Sequence, residues 1–162
     1  MQNVKLPSSS VRLRLLVEGE NMTKQELAAE LHSKKYNCAQ SVACVFADEV
    51  KVPKGFIFKA NEGFGLGAGT MEGICGALTG AIMIAGLKNS SANLESPDSK
   101  ASTIKISKQL MTNFKSRVGA LRCRDIKGID TGKVLCSCND CIKNGVQLVE
   151  EFVINDATDT AN

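Results

Sequence analysis

Residues 63–86 read GFGLGAGTMEGICGALTGAIMIAG, and this stretch decides the fold. It carries glycines at 63, 65, 67, 69, 73, 76, 80 and 86, eight of the fourteen in the chain. The first half, GFGLGAG, is expected to be a flexible loop, because glycine permits tight turns and close backbone approach. The second half, from Thr70 onward, reads as a buried helix, apolar on most of its surface. Gly73, Gly76 and Gly80 recur at i+3 and i+4 and give that helix a smooth face on which another backbone can lie. A nucleotide-binding reading of GFGLGAG fails on context: that fingerprint needs a preceding strand, and no GKS or GKT follows.

Helical signals surround this segment. Thr23-Lys-Gln-Glu26 is a capping box, predicting a helix from Thr23 to Ser33. Asn37-Cys-Ala-Gln40 is a second N-cap pattern, with Ala39, Val42, Ala43 and Phe46 following at helical spacing up to Pro53. A short helix is expected near Phe56 to Glu62. Beyond the polar stretch 89–98, with Pro97 at a first helical position, Ile104, Met111, Phe114 and Val118 form one stripe that Gly119 stops. A loop then carries Cys123 and Lys127-Gly128. The last helix starts near Asn139 and buries Ile142, Val146, Val149 and Val153. No alternating run with hairpin chemistry appears. The expected fold is all-α, a compact bundle of five or six helices, in which the glycine-rich loop precedes the central buried helix.

A chain of 162 residues, 43% hydrophobic and 23% charged, suits one soluble domain. We expect residues 22–155 to form it, residues 1–21 to be a poorly ordered or non-native extension, and residues 156–162 to be a polar tail. Gly19-Glu20 are compatible with a ribosome-binding sequence ahead of Met22, which makes Met22 a candidate start. The net charge of +3 is too small to indicate nucleic acid. The longest apolar segment, Ile74 to Leu87, falls short of the roughly 18 residues that span a bilayer. Arg12 and Arg14 interrupt the apolar start that an export signal needs. The chain is therefore expected in the reducing cytoplasm, with neither nucleic acid nor membrane as partner.

Seven cysteines accompany one histidine and no tryptophan. That inventory excludes multi-histidine metal sites and Ser-His-Asp catalysis, and points any chemistry at sulfur. In a reducing compartment clustered cysteines are working thiols or metal ligands before they are structural bridges. Cys38 follows the N-cap Asn37, Cys75 lies about one turn into its helix, and Cys141 lies in the first turn of the last helix. Cys123 stands between Arg122 and Arg124. Helix starts and neighbouring cations both favour thiolate over thiol. Cys44, among Val42, Val45 and Phe46, reads as a core residue, and His32 as a helix-end or surface residue. Cys136 and Cys138 extend Cys141 into Cys-x-Cys-x-x-Cys, denser than packing requires. Only Cys138–Cys141 has zinc-knuckle spacing, so a zinc ribbon does not fit. Ile142 after Cys141 removes the CxxCH of haem c attachment.

Asn37-Cys-Ala-Gln40, Gly63-Phe-Gly65, Cys75-Gly-Ala-Leu-Thr-Gly80, Cys123-Arg124, and Cys141 ahead of Val146 and Val149 resemble the redox-active C_GCAxxG_C_C family, over roughly Leu27 to Phe152. The family is frequent in anaerobic bacteria, and related domains accompany multi-haem electron-transfer proteins. The resemblance places the family's four cysteines at Cys38, Cys75, Cys123 and Cys141. Cys44, Cys136 and Cys138 lie outside its pattern.

Three functions follow from this reading. In the first, Cys38, Cys75, Cys123 and Cys141 are the working thiols of a redox protein with its own redox partner. Cys38 and Cys75 form one pair, Cys123 and Cys141 resolve it, and Arg122 and Arg124 stabilise thiolate. In the second, the same four cysteines hold zinc or an iron–sulfur cluster, with Cys138 as a substitute ligand, Gly76 making room, and Arg122 and Arg124 beside the cofactor. In the third, the cysteines are merely packed and the glycine-faced helix makes a homodimer.

Overall fold

In the computed structural model the described residues are 22–155, so the expectations for residues 1–21 and 156–162 lie outside them. The architecture is all-α. Helices α1 (Lys24–Ser33), α2 (Cys38–Ala43), α3 (Ala47–Val50), α4 (Lys54–Ala60), α5 (Gly76–Asn89), α6 (Lys100–Val118), α7 (Cys123–Lys127) and α8 (Cys138–Val149) follow one another, and α8 runs on through a π-turn at Glu150–Ile154. No strand occurs among the described residues; an isolated antiparallel bridge joins Ile74 to Arg122.

The helices are shorter and more numerous than the expected five or six. The stretch after Asn37 does not stay α-helical to Pro53 but tightens into a 3-10 turn at Cys44–Phe46 before α3. The Lys24 ammonium takes the Val45 carbonyl at 3.3 Å, while the Phe46 ring drops into the core with that ammonium 5.4 Å from its centre. Cys123, expected in a loop, opens the one-turn helix α7. Pro97 lies ahead of the α6 N-cap Ser99 rather than inside the helix. Along α6 the buried stripe is Leu110, Phe114 and Val118, while Ile104 is 58% exposed. Gly119 ends α6 in a left-handed turn, as expected.

The glycine-rich segment departs most from expectation. Glu62–Phe64 is a 3-10 turn, and Gly65–Ala68 is a kinked turn in which Leu66 and Gly67 are both left-handed (φ 55° and 58°). Gly67 is required there: a Cβ would lie 2.9 Å from the Cys123 Cβ. Helix α5 starts at Gly76 rather than at Thr70. The backbone just before it is engaged elsewhere: Cys75 N donates to Leu121 O (2.8 Å), Cys123 N to Gly73 O (3.0 Å) and Arg124 N to Met71 O (2.8 Å).

Helix α5 is the centre of the bundle, with α2, α6 and α8 packed around it. Its glycine face lies against its own chain. A Cβ on Gly80 would sit 2.5 Å from the Ala39 carbonyl oxygen, and one on Gly76 would sit 3.1 Å from the Cys38 Cβ. Gly145 of α8 approaches the Ala77 carbonyl in the same way, at 2.9 Å. The surface expected to form a dimer is thus filled by α2. Below these crossings Phe46, Ile57, Leu78, Ile84, Leu110, Phe114, Ile142 and Leu148 form a fully buried core. None of the described helices is long and apolar enough to cross a membrane.

Candidate functional site

Two capped helix starts and one backbone crossing bring the cysteines together. Asn37 caps α2: its side-chain Oδ1 accepts from Gln40 N (2.9 Å), and its Nδ2 donates to the carbonyls of Asn61 (3.2 Å) and Glu62 (2.9 Å). Cys38 is thereby fixed as the first residue of α2. Ser137 caps α8 through Asp140 N (3.1 Å), so α8 begins one residue earlier than expected and Cys138 is its first residue. Cys75 is itself the N-cap residue of α5, and Cys123 is the first residue of α7. The bridge between Ile74 and Arg122 sets these last two side by side.

Cys38, Cys75, Cys123, Cys136 and Cys138 all line one pocket of about 330 Å³, together with His32, Asn37, Leu66, Gly76, Ile126 and Lys127. Cys141, one turn into α8, lies beneath it with 2% of its surface exposed and touches both Cys75 and Cys136. Six of the seven cysteines therefore gather here, and every one of the seven is a free thiol. Cys44 alone stays away, in the core.

The sulfurs fall into two hydrogen-bonded pairs. In the outer pair Cys38 donates to Cys138. That bond, reinforced by the Lys127 ammonium 3.4 Å from Cys138 Sγ and by His32, lowers Cys138 to about 5 against the opposing cost of burial. Cys38 is pushed far up, first by the same bond and then by burial and the neighbouring sulfurs. The two sulfurs share one proton and titrate as a pair, with Cys138 the more acidic member. In the inner pair Cys141 donates to Cys75. Cys75 is lowered by that bond and by the N–H groups of Ala77 and Leu78 at the start of α5, while Cys141 is raised. Burial raises Cys123 and Cys136.

Arg122 and Arg124 are turned toward carboxylates. Arg122 Nε donates to Asp125 (2.9 Å) and Arg124 Nε to Asp130 (2.7 Å), and Glu72 bridges both guanidinium groups. These bonds fasten the Met71–Gly73 segment to α7. The cation on sulfur is Lys127, whose contact with Cys138 the sequence reading missed. The signal was present: Lys127 lies four residues after Cys123 and so shares its helix face. Distance from the terminal helix favours Cys141 over Cys138 as the last family cysteine, whereas the Ser137 cap makes Cys138 the first residue of α8.

The cysteines lie near one another and form no disulfide. A four-thiolate metal site needs its donors converging on one point. Among the described residues no group of three His, Cys, Asp or Glu side chains is disposed to hold a metal ion.

With this geometry in view, the chain can be compared with known proteins. Residues 36–152 match the model of the family described as "Putative redox-active protein (C_GCAxxG_C_C)". No curated protein and no solved structure matches the chain. The matched span runs from just before Asn37 to the end of the last helix and takes in all of the clustered cysteines. The chain belongs to the C_GCAxxG_C_C family.

Proposed function

We propose that this C_GCAxxG_C_C family member is a dithiol–disulfide redox protein that works through two adjacent thiol pairs. The observation that carries this reading is the grouping at Cys138: its sulfur lies beside the Cys38 thiol and 3.4 Å from the Lys127 ammonium, and both lower it. A thiolate is the attacking species in disulfide exchange, and a second thiol within reach resolves the mixed disulfide.

The reaction conserves atoms and electrons. Cys138 thiolate attacks a substrate disulfide RSSR, forming Cys138–S–S–R and releasing RS⁻. Cys38 gives up its proton, attacks the Cys138 sulfur, and releases the second RS⁻. The two protein sulfurs are oxidised by two electrons to one disulfide, and RSSR is reduced to one thiol and one thiolate. The Cys38 proton ends on a leaving sulfur. Cys75 and Cys141 form the second pair, with Cys75 as thiolate. Cys136, in contact with Cys141 and half-buried at the pocket, gives that inner pair a route outward. A dithiol reductant returns each pair to the reduced state.

Thiol counting tests this directly. The full chain, oxidised with a small disulfide and then reduced, should lose and recover four thiols. Peptide mapping of the oxidised protein should find Cys38–Cys138 and Cys75–Cys141. A protein whose thiols never oxidise reversibly overturns the reading.

A further inference from the structure

We infer that the pocket above Cys138 takes a low-molecular-weight disulfide carrying an anionic group. This rests on the thiol-exchange reading and names the substrate class for it. The first argument is access. The buried sulfurs Cys75 and Cys123 are only 5% and 6% exposed, and Cys38, Cys136 and Cys138 are partly covered. Disulfide exchange needs the attacked sulfur to enter in line with its own S–S bond, so the substrate's bond must descend into the pocket. A volume of about 330 Å³ lies at the small end of the ~300–1,000 Å³ range of small-molecule sites.

The second argument is charge. Lys127 and His32 line the pocket, and no carboxylate does. Glu72, Asp125 and Asp130 are paired with Arg122 and Arg124, and Asp140, at the start of α8 beside Cys136, takes the Ser137 hydroxyl, so Lys127 has Cys138 Sγ as its partner in the pocket. His32 Nδ1 meets the Tyr36 carbonyl at 2.9 Å. A carbonyl only accepts, so Nδ1 donates there. Attack also consumes the negative charge that Lys127 faces, because the Cys138 thiolate becomes a neutral disulfide sulfur. The ammonium then needs a new anion, and a substrate carboxylate supplies one. Leu66 and Ile126 complete an otherwise apolar wall around the stem of such a molecule.

The experiment compares three small symmetric disulfides: dithiodiglycolate (two carboxylates), 2-hydroxyethyl disulfide (neutral) and cystamine (two ammoniums). Each is mixed with the reduced full chain at low ionic strength. Each rate is divided by that of the same disulfide with free dithiothreitol, which removes intrinsic reactivity. The dianion should exceed the dication by on the order of tenfold, as one opposite charge within contact distance implies. Lys127→Gln should collapse that ratio toward one, while Lys127→Arg keeps it; circular dichroism shows that both variants fold. Reduction of all three disulfides without charge preference overturns the inference and leaves the redox reading standing. Reduction of none of them, with no reversible thiol loss, overturns both.

Discussion

Lys127 Nζ lies 3.4 Å from Cys138 Sγ, an ammonium at the end of one helix set against a thiolate at the start of another. The contact is mutual, for the sulfur raises Lys127 as the ammonium helps to lower Cys138. Alkylation of the reduced protein by iodoacetamide should therefore stay fast well below neutrality and fall only as pH drops through about 5. The folded value lies below that of a free thiol, so the charge contributes stability that is complete above the free-thiol range and lost through that same fall. Lys127→Gln should move the midpoint up by about 1 unit or more. Cys38→Ala should move it further, because the Cys38 hydrogen bond outweighs the ammonium. A midpoint that ignores both substitutions would remove this account of the thiolate.

The outer pair makes a separate prediction about intermediates. Cys38→Ser removes the thiol paired with Cys138, the one assigned to resolve its mixed disulfide. A chromogenic disulfide should then leave one substrate half covalently attached, and mass spectrometry should locate it on the peptide containing Cys138. Cys141→Ser should not trap it, because Cys141 contacts Cys75 and Cys136 rather than Cys138. Adduct on Cys75 or Cys123 in the Cys38→Ser protein would mean that a different sulfur attacks.

What the sequence made legible here, and what it did not, divides by range. Local chemistry could be read directly. The Thr23/Glu26 and Asn37/Gln40 boxes and the Gly119 stop depend on residues within one turn of each other, and all three stand where expected. The start of α5 could not be read in this way. It is set by backbone hydrogen bonds between Met71, Gly73 and Cys75 and residues 121–124, about fifty positions away. The pairing of sulfurs is non-local too. Nothing near Cys38 in the chain points to Cys138, a hundred residues on, as its partner. The arginines flanking Cys123 misled because proximity in sequence says nothing of direction: Asp125, Asp130 and Glu72 turn their guanidinium groups outward.

That outward turn is itself testable. Arg122→Gln with Arg124→Gln should leave the pH dependence of Cys138 alkylation unchanged, since neither guanidinium contributes to the Cys138 shift. The stability cost should be small, because exposed ion pairs give about 0–1 kcal/mol each. Urea unfolding and the alkylation profile of one double variant measure both quantities.

Cys44 is the counter-case among the cysteines. It packs in the 3-10 turn beside Val45 and Phe46, 2% exposed, and shares no contact with the pocket. It should remain a thiol through every cycle of oxidation and reduction. Cys44→Ala removes little more than one heavy atom from the core and should cost about 1 kcal/mol. Rates of disulfide reduction should not change. A Cys44 recovered in a disulfide from the folded protein would contradict its assignment to the core.

The crossing of α2 and α5 links stability to chemistry at one atom. Gly80 has no Cβ, and that lets the Ala39 carbonyl pass where a Cβ would sit 2.5 Å from its oxygen. The atom to be displaced is backbone, which cannot rotate away, so Gly80→Ala must push α2 off α5. Overpacking of this kind costs about 1–3 kcal/mol, or roughly 3–10 °C in Tm for a domain of this size. Cys38 begins α2 and Cys75 precedes α5, so the displacement reaches both thiol pairs. Gly80→Ala should therefore slow disulfide formation between Cys38 and Cys138. Gly86→Ala, in the same helix with open space around its Cβ position, should leave that rate intact and stabilise the fold by up to about 1 kcal/mol. If both substitutions behave alike, the close helix crossing is not what positions the thiols.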